Sequence, residues 1–225
     1  MPKTFNNILI SVHPHANAES IIAKAVDFAG SHAQVHVVEL EGNKLTQIER
    51  AANETEAGLI VMENHACRSW YRFTKKLSPS NVVKRTGVPV LMVNDSLALN
   101  VMRTVVVPVY DSVSKPELEM VRSICKRSDS NIHLVTFIEE SRQRTYDNAS
   151  SLLSMFQWMR SSMKCKIDYA VLEKGNKGRA VLDYARKINA DMMLVHAEKE
   201  TRTGWWSKHI FDLIPGNSNM QVLAI

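Results

Sequence analysis

The stretch VHVVELEGNK at residues 35–44 recurs in outline as YAVLEKGNK at 169–177. Each copy is an apolar run broken by a Gly-Asn-Lys turn, and each leads into a helix-like stretch. A second apolar run follows, AGLIVMENH at 57–65 in the first copy and ADMMLVHAE at 190–198 in the second. Another helix-like stretch comes next, and then a closing run, GVPVLMV at 87–93 and NMQVLAI at 219–225. Both copies also open alike, with NILISV at 7–12 and RTVVVPV at 103–109. One succession written twice means two copies of one βα unit. Any site in one copy is therefore sought at the matching position of the other.

The apolar runs are continuous rather than alternating, as in strands covered on both faces of a parallel sheet. Strands are predicted at 7–12, 34–40, 59–62 and 88–93, then at 104–109, 131–137, 166–172, 191–195 and 220–225. Helices are predicted from an Asn17 cap to Gly30, then over 44–55, 78–85, 115–127, 145–163, 178–188 and about 204–214. The 145–163 helix places Leu152, Leu153, Met155, Phe156, Met159 and Met163 on its apolar face. That helix and the strand after it have no counterpart in the first copy, which is abbreviated by one helix and one strand. Strands alternating with helices imply parallel βαβ units with right-handed crossovers. The fold class is therefore α/β: two tandem doubly wound parallel-sheet domains, 1–97 and 98–225, joined through a short polar linker at 94–100. Ligands of such sheets bind beyond the carboxyl ends of the strands, where strand order reverses. The last strand, 220–225, is expected at a sheet edge, where it could take part in a homodimer by strand addition.

At 225 residues, with 45% apolar and 23% charged residues, the chain fits soluble globular domains of about 100 and 125 residues. Its longest apolar runs, such as 104–109, fall far short of the ~20 residues of a membrane helix. The N-terminus does not read as a signal peptide. Three cysteines, Cys67, Cys125 and Cys165, are odd in number and show no CxxC spacing. They read as free thiols in a reducing compartment, which points to the cytoplasm. The net charge of +5 comes from basic residues scattered among acidic ones, 10 against 9 in residues 1–97 and 18 against 14 in 98–225. A solvated surface is expected, with neither nucleic acid nor membrane as partner.

The opening, turn and closing motifs together resemble the universal stress protein family over nearly the whole chain. The Gly-x-Pro-Val-Leu-x-Val closing run, placed about 27 residues after the Leu-Ile-Val-Met strand, is the most specific of them. The resemblance implies a parallel α/β sheet related to the adenine nucleotide α-hydrolase-like superfamily. Many members bind ATP, others do not, and tandem members act as internal pseudo-dimers. ATP-binding members carry an acid after the first strand. After the fourth they carry a glycine, two residues, a glycine, nine residues, a glycine, and then Ser or Thr. Glycines let backbone amides approach phosphate closely, and the hydroxyl adds a donor.

This pattern is overwritten in both copies. In the first, the acid position is His13, the glycine positions are Glu63, Ala66 and Lys76, and the hydroxyl position is Leu77. In the second, the acid position is Tyr110, and the motif positions are His196, Lys199, His209 and Ile210. Glu63 would set a carboxylate where a phosphate should lie, and like charges ~4 Å apart repel by about 1–4 kcal/mol even when solvent screens them. Conventional ATP binding is not expected.

A second chemistry is written in the first cleft, where His13, His15, Glu63, His65 and Cys67 follow two strands expected to be neighbours. Imidazole, carboxylate and thiolate are zinc ligands, although the spacing matches no established zinc motif. His13-Pro14-His15 has the wrong spacing, and lacks the glycine, for a nucleotidyltransferase His-x-Gly-His motif. The Gly175-Asn176-Lys177-Gly178 segment reads as a strand-to-helix turn with Asn as cap, since the Lys-Ser/Thr of a P-loop is absent. Trp70-Tyr71 and Trp205-Trp206 occupy matching segments and suit an interface better than ligand stacking. His133 reads as a satisfied core residue. No catalytic triad or carboxylate pair is present in the spacing. The expectation is a non-catalytic, cytoplasmic binding or regulatory protein of the stress response, with no resident cofactor. It would act through protein partners, itself or an unidentified small ligand. ATP or AMP held by non-standard contacts is one alternative, and zinc in the first cleft is another.

Overall fold

Runs of β-branched and apolar residues become buried parallel strands in both halves of the chain. The computed structural model describes residues 5–12, 18–30, 32–63, 77–93, 103–110, 113–127, 130–173, 176–197 and 220–225. Two compact units emerge, Met1–Asn100 with Ile214–Ile225, and Val101–Leu213. The linker at 94–100, the aromatic pairs at 70–71 and 205–206 and the helix expected at 204–214 lie outside the described residues.

In the first unit the order is β1 (Asn7–Val12), α1 (Ala18–Ala29), β2 (Gln34–Glu39), α2 (Lys44–Glu54), β3 (Leu59–Glu63), α3 (Pro79–Thr86) and β4 (Val90–Val93). β1 lies between β2 and β3, and β4 extends the sheet beyond β3, all in parallel. Ile8, Ile10, Leu59, Ile60, Val61 and Val90 are fully buried, each contributing about 1.5–3 kcal/mol relative to exposure. β2 sits at the edge and is covered less completely, so Val37 is 48% exposed. Local chemistry sets the helix ends. Ser78 Oγ accepts a hydrogen bond from the amide of Asn81 at 3.2 Å, and Pro79 occupies the first helical turn of α3. Gly87, at φ 66°, stops the helix in a left-handed conformation that a residue with a Cβ adopts at a cost.

The second unit runs β5 (Thr104–Pro108), α4 (Lys115–Arg127), β6 (Asn131–Phe137), α5 (Arg142–Ser162), β7 (Lys166–Leu172), α6 (Lys177–Lys187) and β8 (Met192–Val195). The strand order is β8-β5-β6-β7, in parallel. α4 opens on a reciprocal capping pair. The Glu117 amide donates to Ser114 Oγ at 3.3 Å, and the Ser114 amide donates to Glu117 Oε2 at 3.2 Å. α5 begins three residues earlier than its periodicity predicts, because Ser141 caps it through the amide of Arg144. Leu152, Met155 and Met159 of α5 are buried as expected, but Leu153 is 50% exposed and belongs to the solvent side. Between β6 and the Gly-Asn-Lys turn the chain makes the α5–β7 excursion, whereas the first unit passes directly from β2 to α2.

The final strand departs from expectation. β9 (Gln221–Ala224) pairs with β4, and the pairing is antiparallel, Leu91 facing Leu223. Residues 220–225 are all buried, and they group with the first unit rather than with Val101–Leu213. The segment read as a candidate open edge is thus paired within the chain, through a strand of Gln221 followed by the apolar Val222, Leu223 and Ala224. Among the described residues, no helix is long and apolar enough to cross a membrane.

Candidate functional site

Strand order reverses between β1 and β3 in the first unit and between β5 and β8 in the second. The carboxyl ends of those strands are where a ligand of this architecture would bind. β1 and β3 are adjacent, as the sequence argument required, with Ser11 opposite Met62. Ser11 is buried, and its Oγ donates to the carbonyl of Val61 at 3.4 Å, stitching the two strands together at this end. Glu63 is the last residue of β3 and stands opposite Val93 of β4. Its Oε2 is shielded from solvent. A carboxylate therefore stands at the rim where a nucleotide-binding sheet presents glycine amides. His13, His15, His65, Ala66, Cys67 and Lys76 lie outside the described residues, so of the proposed zinc ligands only Glu63 is placed. Among the described residues no group of three or more His, Cys, Asp or Glu could hold a metal ion.

The second unit is described more fully at this edge. Tyr110 leaves the end of β5 and is buried, as is Phe137 at the end of β6. Their rings stack with centroids 5.9 Å apart and planes 24° from parallel. The backbone between them is held by the amide of Val109 donating to the carbonyl of Val135 at 2.7 Å, and by Thr136 Oγ1 donating to the Val109 carbonyl at 3.0 Å. His196 follows β8, partly buried, on the other side of the strand-order reversal. Lys199, His209 and Ile210 lie outside the described residues.

A polar cluster adjoins the stacked rings. Lys177, the first residue of α6, is ion-paired with Glu139, which follows β6; their side chains are only 10% and 16% exposed. The same ammonium lies 5.6 Å from the centroid of the Phe137 ring, within cation–π range. Asn148 of α5 is buried, and its Nδ2 reaches both the Phe137 carbonyl and Glu139 Oε1 at 3.4 Å. Thr145 Oγ1 accepts the Glu139 amide at 2.9 Å and so fixes the backbone of the acid. The ammonium of Lys177, which lies beside the Phe137 ring, is thus already paired with a carboxylate.

Sequence reasoning picked out Tyr110 but missed Phe137, Glu139, Asn148 and Lys177. One signal for Lys177 was present. A cation in the first turn of a helix opposes the macrodipole, so its position asks for a carboxylate partner. The cap of α6 follows expectation, with Asn176 Oδ1 accepting the Arg179 amide at 3.0 Å. In the first unit Asn43 holds the matching place without a side-chain cap bond.

His133 belongs to a separate cluster on β6, nearer the amino ends of the strands. Asn131 Nδ2 lies 2.9 Å from His133 Nε2, and His133 Nδ1 lies 3.0 Å from the Tyr184 hydroxyl. Asp168 is 3.9 Å from Nε2 and also from the Lys166 ammonium. Burial holds the imidazole below its ordinary pKa against the opposing pull of the Asp168 carboxylate, and Lys166 adds to the lowering. His133 is thus a partly buried histidine with a polar partner at each ring nitrogen, satisfied as expected but not sealed in the core.

One open groove, of about 360 Å³, lies between the start of α4 and α5, lined by Leu118, Met155, Trp158 and the serines 150, 151 and 154. It carries no charged side chain.

No family model and no curated protein matches the sequence. Solved structures do match the fold. A universal stress protein from Archaeoglobus fulgidus superposes with a TM-score of 0.63 at 16% identity, covering 90% of this chain and 72% of that one. A protein from Pseudomonas aeruginosa assigned to the universal stress proteins gives 0.64 at 12% identity, covering 98% and 93%. A functionally unknown protein from Pseudomonas aeruginosa gives 0.57 at 12%, covering 97% and 81%. The chain therefore has the α/β fold of universal stress proteins.

Proposed function

We propose that this universal stress protein-like chain is a non-catalytic binding or regulatory protein of the stress response that does not take ATP in the conventional way. It acts in the cytoplasm through protein contacts. The observation that carries the reading is the packing of the described residues at the carboxyl edge of the second unit. Tyr110 and Phe137 stack on each other beneath the surface there, and Lys177 is committed to Glu139. A triphosphate binds where backbone amides and cations are free to face it, and here the cation is already neutralised. In the first unit the shielded Glu63 carboxylate works in the same direction. Among the described residues at these edges, the titratable pair is Glu139 with Lys177, an ion pair held by neighbouring hydrogen bonds, and this supports a binding role.

A thermal-shift series with ATP, AMP and ZnCl₂ tests this directly. A ligand that binds only the folded chain, supplied at 100 times its Kd, adds about 2.7 kcal/mol of stability. The reading expects no shift with any of the three. A shift with ATP or AMP would replace it with nucleotide binding by non-standard contacts. A shift with zinc that is lost on His13→Ala with His65→Ala would replace it with metal binding.

A further inference from the structure

Cys125 lies in the last turn of α4, and Cys165 directly precedes β7. Forty positions apart in sequence, the two meet in the fold with Sγ atoms 2.9 Å apart, Cys125 donating to Cys165. Both are free thiols, and both are half-buried rather than sealed in the core. A covalent bridge needs about 2.05 Å between sulfurs, so modest side-chain rotation separates the contact from a bond. The sequence around them is cationic: Lys126 follows Cys125, and Lys164 and Lys166 flank Cys165. The thiolate is the reactive form of a cysteine, and the Cys125 S–H donating to Cys165 makes Cys165 the acceptor sulfur of the pair.

We propose that Cys125 and Cys165 form a reversible peroxide-responsive dithiol, a redox modification site that locks α4 to β7 when oxidised. Cys165 is the attacking residue. Its thiolate attacks the distal oxygen of a hydroperoxide, so an S–O bond forms to give a sulfenic acid while the O–O bond breaks and the other oxygen leaves as water or alcohol after taking a proton. The Cys125 sulfur then attacks the sulfenic sulfur. The S–O bond breaks, an S–S bond forms, and the oxygen leaves as water with the Cys125 proton. In sum, two thiols and one hydroperoxide give one disulfide, one water and one further water or alcohol. A thiol reductant reverses the change by exchange. Cys125 suits the resolving role, because burial and then its hydrogen bond to Cys165 keep its thiol protonated well above the ordinary range.

The test uses the full chain carrying Cys67→Ser, so that only these two thiols can react. Treatment with hydrogen peroxide followed by thiol counting and intact mass is expected to show both thiols lost together, the mass lowered by two hydrogens and the chain still monomeric on a non-reducing gel. Peptide mapping should join Cys125 to Cys165, dithiothreitol should restore both thiols, and the oxidised form should melt at a higher temperature. Adding Cys125→Ser should leave Cys165 as a sulfenic acid that dimedone traps, whereas adding Cys165→Ser should leave Cys125 unmodified. Disulfide-linked dimers, over-oxidation of one cysteine with the other still free, or no loss of thiols in the otherwise unaltered pair would overturn the proposal. So would dimedone labelling of Cys125 in place of Cys165.

Discussion

The rings of Tyr110 and Phe137 lie 5.9 Å apart and 24° from parallel at the carboxyl ends of adjacent strands, both buried. Tyr110, which the resemblance places where an acid is expected, packs its ring against that of Phe137. This contact ties the local sequence to the proposed function, because the same two side chains complete the core and stand at the carboxyl ends of the strands.

If that ring completes the core, its removal costs stability and not only shape. Tyr110→Ala is expected to destabilise the chain by about 3–5 kcal/mol, in line with other buried aromatic truncations. Tyr110→Phe keeps the stacking and should retain most of the stability. Urea unfolding of the two variants measures the difference. A Tyr110→Ala loss below about 1 kcal/mol would mean that the ring does not pack as described.

The Glu139–Lys177 pair should behave as a unit. Removing one partner leaves a charge with little access to water, so Glu139→Gln or Lys177→Met alone is expected to cost about 3 kcal/mol. The double variant leaves no orphaned charge and should cost less than the sum of the singles, with a coupling of about 1 kcal/mol or more. Additive losses in a double-mutant cycle would show that the two groups do not depend on each other.

The sequence carried the architecture further than it carried the site. Continuous runs such as Leu59–Met62 and Thr104–Val107 are legible because a strand covered on both faces has no polar phase to confuse with a helix. The capping residues Ser78, Ser141 and Asn176 explain why helix starts fell within about three residues. The destination of 221–224 was not legible. An apolar strand states that it is buried, but not which neighbour buries it or in which direction. Its antiparallel pairing with β4 is a long-range choice that no local pattern encodes. The site was half legible. Tyr110 stands out because the resemblance expects an acid at that position, while Glu139 and Asn148 resemble any polar loop or helix residue until the fold brings them to Lys177.

His133 gives the chain a predictable acid response. Burial disfavours its protonated form in the folded state, so its folded pKa lies below the ordinary value of 6.5. The unfolded chain therefore binds more protons as the pH falls through about 6.5, and this contribution to stability is whole above that pH and lost below it. The chain should lose stability between about pH 7 and 5, and His133→Gln should flatten that part of the profile. An unchanged slope in the variant would assign the response to other groups.

Isothermal titration of the purified chain with MgATP tests the central claim most directly. With Tyr110 and Phe137 closing one edge and Glu63 standing at the other, no saturable heat is expected up to millimolar nucleotide. A saturable isotherm at micromolar Kd, abolished by substitution at either edge, would contradict the account.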